Sequence, residues 1–267
     1  MVKMETFRQL FSRRASRPGA GIPTGERVYA VGDVHGRLDL LRTIATAIDA
    51  DESERPAART TIVLLGDLVD RGPQSAQVID FARQWQQRRR VRILSGNHEE
   101  MFLLALERLG GFRAFLRSGG RETVLSYGVD AAAFHGADLE EAHRMMVEAV
   151  PQDHVAFMRS FEDTIRIGDY LFVHAGIRPE APLERQDARD FRWIREPFLS
   201  HSGDHGAIVV HGHTISDEPA MRGNRIGIDT GAFMSGRLTA LGLEGTDRWL
   251  IETIDREGTI GASIRAA

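Results

Sequence analysis

The sequence contains no cysteine in its 267 residues. This absence excludes a disulfide framework, a thiolate zinc site and a cysteine nucleophile. It is compatible with a reducing compartment, and we expect a cytoplasmic protein. With 42% apolar residues at this length, the chain can bury one large core.

Lysine is nearly absent as well, since Lys3 is the only one among 34 lysine and arginine residues. A Schiff-base lysine or a phosphate-loop lysine in the folded body is therefore excluded, and phosphate recognition would fall to arginine. The net charge of -4 and the pI near 6.2 argue against a general nucleic-acid-binding surface, which usually carries a basic footprint. We therefore expect no nucleic-acid partner.

Long apolar runs are also missing. No stretch approaches the ~18 residues that a membrane-spanning helix needs, and the first residues lack the apolar core of a secretory signal. Residues 1 to 27 instead form a basic segment, rich in Arg, Ser, Pro and Gly, which predicts a flexible N-terminal tail. Apolar residues at helical spacing in this tail suggest, as a minor hypothesis, weak contact with an anionic membrane or a partner; they are Met4, Phe7, Leu10 and Phe11.

Short β-prone runs at 28–31, 61–65, 91–94, 170–173 and 207–210 each stop at a glycine-flanked cluster of Asp, Asn or His. The clusters are Gly32-Asp33-Val34-His35-Gly36, Gly66-Asp67-Leu68-Val69-Asp70-Arg71-Gly72, Gly96-Asn97-His98-Glu99, His174-Ala175-Gly176 and His211-Gly212-His213-Thr214. Nitrogen and oxygen donors without a thiolate suit a pair of divalent cations bridged by a carboxylate. The sequence therefore predicts a two-metal hydrolase.

Helical periodicity separates the first three of these runs. The apolar residues that carry it are Leu38, Leu41, Ile44, Ala45 and Ile48, then Val78, Ile79, Ala82 and Trp85. This βαβαβ opening predicts a largely parallel sheet, with ligands at the carboxyl ends of its strands. Residues 100–168 have a mostly helical pattern and predict a helical cap beside the metal site. Runs at 225–228, 238–243 and 249–254 predict a second, mixed or antiparallel sheet.

Taken in order, the clusters resemble those of the phosphoprotein phosphatase (PPP) family, in particular its bacterial and phage serine/threonine phosphatases within the calcineurin-like metallophosphoesterases. The match runs from about Val28 to Leu243. The resemblance implies an α/β fold, a four-layer α-β-β-α sandwich, with residues 28–267 as a single catalytic domain that includes the cap. It also implies two divalent metal ions; manganese is expected, with iron and zinc as alternatives.

The resemblance further implies a role for each matching residue. The first metal ion would be held by Asp33, His35 and Asp67, and the second by Asp67, Asn97, His174 and His213, with Asp67 bridging. Asn97 would also contact the substrate phosphate. His98 would protonate the departing oxygen while Asp70 orients its ring. Phosphate oxygens would be bound by Arg71 and Arg195.

Other polar residues near the clusters have simpler interpretations. We expect Glu99 to be a residue of a helix N-terminus that is favoured by the helix dipole. His201 and His205 are predicted to lie in an exposed loop, because Ser202-Gly203-Asp204 between them makes a helix unfavourable. His211 is expected to support the ligand His213 only indirectly.

The function implied by the resemblance is hydrolysis of phosphoserine and phosphothreonine in a phosphorylated protein partner, with phosphotyrosine as a further substrate, by direct attack of a hydroxide bridging the two ions. The nearest alternative is a symmetrical dinucleoside tetraphosphate hydrolase, whose members lack the Asp of Asp-Arg-Gly and carry Asp after Gly-Asn-His. Because Asp70 and Glu99 stand at those positions, the protein phosphatase is favoured. A catalytically inactive phosphoprotein-binding module is the alternative of another class, but none of the expected ligands is missing.

Overall fold

The predicted alternation of strand and helix opens the chain in a computed structural model, which describes residues 19–256 and 259–267. The first strands and helices are β1 (Glu26–Val31), α1 (Leu38–Ser53), β2 (Arg59–Leu64), α2 (Ser75–Arg88) and β3 (Val91–Ile93). Strand β2 pairs in parallel with both β1 and β3, as a βαβαβ unit requires. Both predicted helices therefore form, with Leu41, Ile44 and Ile79 among the residues on their buried faces.

A mostly helical segment follows β3. Its elements are α3 (Asn97–Glu107), α4 (Leu109–Phe115), a kinked turn (Leu116–Gly120), α5 (Arg121–Ser126), α6 (Ala131–Gly136), α7 (Leu139–Ala149) and α8 (Gln152–Arg159). We call residues 97–159 the helical segment. The predicted cap extends too far at its end, because Thr164–Ile167 forms strand β4 and pairs with the next strand. The alternating pattern of buried and exposed residues in β4 is too short to outweigh the helical pattern before it.

The remaining elements first extend the sheet that β4 begins and then add strands to the sheet of β1. They are β5 (Tyr170–Val173), a 3-10 turn (Leu183–Arg185), α9 (Ala188–Trp193), β6 (Ile208–His211), β7 (Ala220–Met221), β8 (Arg225–Gly227), α10 (Ala232–Ser235), β9 (Thr239–Glu244), β10 (Asp247–Arg256) and β11 (Thr259–Ala266). The described residues thus form a six-stranded sheet in the order β11-β10-β9-β1-β2-β3 and a five-stranded sheet in the order β4-β5-β6-β8-β7.

The five motif-bearing strands are divided between the sheets, since β5 and β6 belong to the second one. One prediction about strand partners is wrong. The strands after His213 do not form a sheet of their own, because β8 joins β6 in parallel, whereas β9 pairs antiparallel with β1 and continues into β10 and β11. The tight turn at Gly245 explains the β9–β10 hairpin, but the pairing of β9 with β1 joins residues distant in sequence and leaves no local signal.

Strand side chains alternate between two apolar layers. In β1, Tyr29 and Val31 face α1 and α2, while Val28 and Ala30 pack between the two sheets against residues such as Phe172. On the far face of the second sheet, Phe191, Ile194 and Phe198 cover Val173 and Val209. Helices, two sheets and a thinner outer layer give the mixed α/β sandwich that the resemblance implied. Strands β5 and β6 are buried on both faces, which explains their continuous apolar runs.

The N-terminal boundary lies before residue 27. Ala20 and Ile22 are buried between the sheets, and the Gly21 amide donates to the Asp169 carboxylate at 2.9 Å. Arg27 is fully buried in β1, where it donates to Glu244 at 2.8 Å and to the Pro56 carbonyl at 2.7 Å. The predicted flexible tail therefore includes several packed residues, because Ala20 and Ile22 bury apolar surface despite a polar and glycine-rich context.

Residues 1–18, which carry the hypothesis of membrane or partner contact, lie outside the described residues. Within the described part of the chain, the helices are all too short or too polar to cross a membrane.

Candidate metal centre

The predicted site residues gather where parallel strands of both sheets end. Asp33 and His35 follow β1, Asp67 follows β2, and Asn97 and His98 begin α3 after β3. His174 follows β5, and His213 follows β6. All of these side chains are buried, with less than a tenth of their surface exposed. The predicted ligands thus lie at the carboxyl ends of strands, as expected, but these strands come from two sheets that pack against each other.

Asp67 lies at the middle of this gathering. Its carboxylate oxygens are 3.4 Å from Nε2 of His174, 3.6 Å from Nε2 of His35 and 3.9 Å from Nε2 of His98. Burial alone would raise the pKa of Asp67, but the three imidazoles together hold the pKa below its usual range. A carboxylate that stays ionised between several ring nitrogens is suited to bridge two cations.

The backbone around Asp67 is strained. His35, Asp67, Asp70, Arg71 and His213 have φ values of 46°, 50°, 73°, 68° and 62°, all in the left-handed region. Such conformations cost about 1–3 kcal/mol each in non-glycine residues and are concentrated at functional sites. The neighbouring loop must approach closely too: a Cβ at Gly96 would lie 2.1 Å from Oδ1 of Asp67. The glycine-flanked clusters therefore combine left-handed backbone conformations with close backbone contacts that only glycine allows.

The histidine rings are oriented by backbone carbonyls. Nδ1 of His35 lies 2.8 Å from the Val69 carbonyl oxygen, and Nδ1 of His174 lies 2.8 Å from that of Leu65. Each Nδ1–H therefore donates, and each Nε2 presents its lone pair towards Asp67. Burial lowers the pKa of His35 to about 3 and also lowers the pKa of His174. Neutral rings of this kind are the form that ligates a metal ion.

The donors fit a pair of divalent ions. Among the described residues, two groups each bring their ligand atoms within 4.8 Å of one another: His35, Asp67 and His98, and Asp67, His174 and His213. Nε2 of His213 is buried without a hydrogen-bond partner, and burial lowers the pKa of this ring to about 3. An unpartnered buried acceptor is expected where a cation binds. Asn97, the further ligand predicted for the second ion, lies beside this group, with its Oδ1 3.1 Å from Nε2 of His174.

Asp33 stays a predicted ligand of the first ion. The group of His35 and Asp67 also includes His98, and the buried Asp33 carboxylate lies near enough to Asp67 for their charges to interact. The Asp33 carboxylate accepts from the His213 amide at 3.1 Å and is hydrogen-bonded to Asp229. Burial, followed by the charges of Asp229 and Asp67, raises the pKa of Asp33. Two adjacent buried carboxyls favour sharing a proton, and a cation would release it.

His98 and Asp70 form the predicted pair. Nδ1 of His98 lies 2.6 Å from Oδ2 of Asp70, and both side chains are buried. Burial opposes the charged ring, but Asp67 and Asp70 raise the pKa of His98 above its ordinary value. The ring can therefore carry a proton on Nε2, the atom that faces the centre.

The two predicted phosphate arginines differ in how closely they join the site. Arg71 brings Nη1 within 2.8 Å of Nε2 of His35 and Nη2 within 3.1 Å of Nε2 of His98. Its fork thus points at the place where a phosphate would bind between these rings. Arg195 is exposed and near enough to contribute, after burial and His174, to the lowered pKa of His213.

Glu99 has a larger part than the sequence indicated. It is fully buried, and its carboxylate accepts from the amides of Gly96 at 2.8 Å, Asp67 at 2.9 Å and Leu68 at 2.7 Å. It therefore ties the loop after β2 to the start of α3. Its position next to Asn97 and His98 was the available signal, but two of the three amides that it binds, those of Asp67 and Leu68, lie 32 and 31 residues earlier.

Sequence reasoning missed Phe233 and Thr123. The Phe233 ring lies edge-on to His35 with centroids 5.4 Å apart, and the Arg71 guanidinium lies 4.7 Å from its centroid. Thr123 contacts Asp70 from behind. Neither residue carries a motif. The other histidines stay outside the donor groups: His201 and His205 are partly buried with rings 4.9 Å apart, and His211 packs against Phe198.

Comparison with known proteins places the whole site inside one family match. The family model of calcineurin-like phosphoesterases matches residues 26–233. The bis(5'-nucleosyl)-tetraphosphatase PrpE [asymmetrical] of Anoxybacillus flavithermus is 27% identical over 236 residues, which cover 79% of this chain and 88% of the relative. The protein of the same name from Bacillus subtilis is 27% identical, covering 78% of this chain and 87% of the relative.

Solved structures support the same fold. A crystal structure whose description proposes a diadenosine tetraphosphatase has a TM-score of 0.61 at 20% identity, covering 90% of this chain and 94% of its own. A cold-active protein-tyrosine phosphatase from a psychrophilic Shewanella species has a TM-score of 0.59 at 22% identity, covering 94% and 85%. At these identities the likeness concerns the fold.

Proposed function

Because this chain belongs to the calcineurin-like phosphoesterase family, a family of metal-dependent hydrolases, we propose that it hydrolyses dinucleoside tetraphosphates. The observation that carries this substrate assignment is the match, over about four fifths of the chain, to relatives named for that activity. The assignment reverses the preference drawn from the motifs, where Asp70 and Glu99 favoured a protein phosphatase.

The relatives' names also indicate which bond of the tetraphosphate is cleaved. They are called asymmetrical, whereas the alternative drawn from the motifs is a symmetrical hydrolase. Asymmetrical cleavage adds one water across the bridge between the first and second phosphates and releases a nucleoside monophosphate and a nucleoside triphosphate. We propose this outcome for the present chain.

The chain's own residues would divide the work as follows. Asp67, His35, His174 and His213 would hold the ions, with Asn97 and either Asp33 or His98 completing the set. Two such ions, when bound, acidify water and neutralise phosphate charge. Arg71 would bind the oxygens of the attacked phosphate, since its fork already lies between His35 and His98.

An apolar rim next to Arg71 suits the nucleoside part of such a substrate. We define the apolar rim as Phe233, Met234 and Ile215. Ile215 is 40% and Met234 69% exposed, and both side chains reach the position that a Cβ on Gly231 would occupy. Phe233 joins the rim to Arg71 by a 4.7 Å contact. A cationic fork beside exposed apolar surface matches a phosphate joined to a flat base.

The His98–Asp70 pair favours a second candidate, a phosphatase acting on phosphoserine or phosphothreonine. A nucleoside triphosphate is a good leaving group, because the phosphate oxygen that departs has a pKa of roughly 6. It needs little help from an acid. A serine alkoxide is a much stronger base and must be protonated as it leaves, which is what His98 on its 2.6 Å contact with Asp70 could do. The complete donor set speaks against the inactive binding module.

The deciding experiment compares substrates on the full chain loaded with manganese. Diadenosine tetraphosphate is assayed beside phosphoserine, phosphothreonine and phosphotyrosine peptides at equal concentration, and nucleotide products are separated by chromatography. We expect the highest kcat/KM on the tetraphosphate, with AMP and ATP as products. ADP alone would contradict asymmetrical cleavage. A higher kcat/KM on a phosphopeptide would replace the first candidate by the second.

A further inference from the structure

We propose that the helical segment positions His98 and Asp70, which we call the acid pair, through a contact of Thr123 on α5 with Asp70. The segment would thereby act on the reaction without touching the substrate. Thr123 would be a positioning residue for Asp70, and through it for His98. The proposal rests on the proposed function only in assuming that the His98–Asp70 pair serves catalysis in this site.

Thr123 makes two contacts with Asp70 across 53 residues of sequence. Its hydroxyl donates to Oδ1 of the Asp70 carboxylate at 2.7 Å and accepts from the Asp70 amide at 2.9 Å. The Ser75 hydroxyl lies 2.9 Å from the Thr123 oxygen and 3.0 Å from the same amide. Thr123, Ser75 and Asp70 are all fully buried. Water therefore has no access to replace a lost contact.

These contacts fix both oxygens of the carboxylate. Oδ1 of Asp70 is held by Thr123, and Oδ2 is held by Nδ1 of His98. Rotation of the carboxylate would break one contact or the other. The Asp70 backbone also has a φ of 73°, a conformation that a non-glycine residue keeps only when its surroundings impose it. Thr123 and Ser75 supply that restraint at the amide.

The helical segment also holds the backbone of the next residue, Arg71. The Arg71 amide donates to the Gly119 carbonyl at 3.0 Å. Gly119 lies in the kinked turn Leu116–Gly120 and has a left-handed φ of 98°; a Cβ there would lie 2.8 Å from Cγ of Arg71. Two consecutive left-handed residues, Asp70 of the acid pair and Arg71, the predicted phosphate ligand, are thus held by this turn and by the helix after it.

The segment is anchored well enough to serve as a support. The Ser126 hydroxyl at the end of α5 accepts from the Ala76 amide at the start of α2 at 3.0 Å. Phe115 and Val124 on either side of the turn are buried in the main core. The predicted cap is therefore packed on α2, on the side of Asp70 away from His98. This position explains why Thr123 contacts Asp70.

The test uses matched substitutions at two buried threonines. Thr123→Val keeps the shape and removes the hydroxyl, while Thr123→Ser keeps the hydroxyl. Thr253→Val is the control, because the Thr253 hydroxyl is also buried and bonded, to the Leu238 amide and the Gly236 carbonyl, but contacts neither Asp70 nor His98. Melting temperatures of all three report the general loss of stability.

The first measurement does not depend on which substrate is turned over. The short Nδ1–H contact of His98 with Asp70 should give a far-downfield proton resonance, assigned by its loss in His98→Asn. We expect this resonance to shift or broaden beyond detection in Thr123→Val and to persist in Thr123→Ser and in Thr253→Val. An unchanged resonance in Thr123→Val would overturn the proposal, whatever the substrate proves to be.

The second measurement uses p-nitrophenyl phosphate and phenyl phosphate, which differ in how much their leaving oxygen needs a proton. In Thr123→Val we expect kcat to fall about tenfold more for phenyl phosphate than for p-nitrophenyl phosphate, with KM changed less than twofold. Thr123→Ser should restore both values to within threefold. Equal losses on the two esters would reduce Thr123 to a structural residue. If diadenosine tetraphosphate is not hydrolysed while these effects hold, the substrate proposal fails and the positioning proposal stands.

Discussion

His98 is the residue with two competing roles. Its Nδ1 belongs to the 2.6 Å pair with Asp70, as an acid requires, yet its Nε2 falls within the donor group of His35 and Asp67, as a metal ligand requires. Asp33 is the residue that would replace it as a ligand. Both are buried against Asp67, so geometry alone allows either assignment.

We predict that His98→Asn retains two metal ions per chain, because Asp33 completes the first group when a cation displaces its shared proton. Its kcat should fall by about 10²–10⁴-fold on phenyl phosphate and much less on diadenosine tetraphosphate, since a general acid assists chiefly a poor leaving group. Metal content by elemental analysis and kcat on both substrates provide the check. Loss of one ion per chain would make His98 a ligand.

The side chains of the apolar rim give a second prediction at this scale. Met234→Gln combined with Ile215→Asn should weaken inhibition by AMP about three- to tenfold and leave inhibition by inorganic phosphate unchanged, because only AMP places a base on the rim. Ile264→Asn is the matched control, since Ile264 is 49% exposed on β11 and outside the site. Parallel weakening of both inhibitors would show that the rim supports the phosphate site instead.

At the scale of elements, the hairpin β9–β10 completes the first sheet and fixes α1 upon it. Trp249 on β10 lies opposite Gly242 on β9, and its ring packs edge-on against Tyr29 with centroids 5.8 Å apart. Its indole N–H donates to the carboxylate of Asp51 on α1 at 2.9 Å. A glycine is needed at position 242 for close approach, because a Cβ there would lie 2.1 Å from Cε2 of Trp249.

Gly242→Ala should therefore displace Trp249 and reduce the free energy of unfolding by about 1–3 kcal/mol, as for other overpacked cores. Gly261→Ala on β11 is the control: nothing lies within 4 Å of its Cβ position, so its unfolding free energy should stay the same or rise by about 0.4–1 kcal/mol. Urea denaturation followed by fluorescence measures both. A Gly242→Ala variant as stable as the parent would mean that Trp249 has room to move.

At the scale of the whole molecule, the centre joins the two sheets. Asp67 and Asn97 come from the first sheet, and His174 and His213 come from the second. Several buried histidines and carboxylates there have pKa values displaced by burial, so the centre without ions is a concentration of polar groups held largely out of water.

We predict that removing divalent ions with a chelator lowers the melting temperature, and that restoring manganese raises it with the logarithm of the ion concentration. An ion that binds only the folded state adds about 2.7 kcal/mol at a hundredfold excess over its Kd. His213→Asn should reduce this gain, because it removes a donor of the second group. Scanning calorimetry with and without metal gives the comparison. Identical melting temperatures would contradict a centre that links the sheets.

Prediction from the sequence worked best where the chemistry of a residue type is itself the signal. Asp67, His174 and Arg71 could be identified because strand-end clusters of such residues are typical of metal and phosphate sites, and the structure brings them together. It failed for Thr123, Phe233 and the wider role of Glu99. Threonine, phenylalanine and glutamate occur everywhere, and only their distant contacts distinguish these three.

The sequence by itself determined the strand and helix periods of the opening unit, the donor types of the centre and the exclusion of thiolate and lysine chemistry, because each depends on residue identity or on local spacing. Tertiary structure decided which sheet receives each strand, that β9 lies beside β1, and that the helical segment stands behind Asp70. These are pairings between residues far apart in sequence, and they depend on which surfaces bury each other in the folded chain.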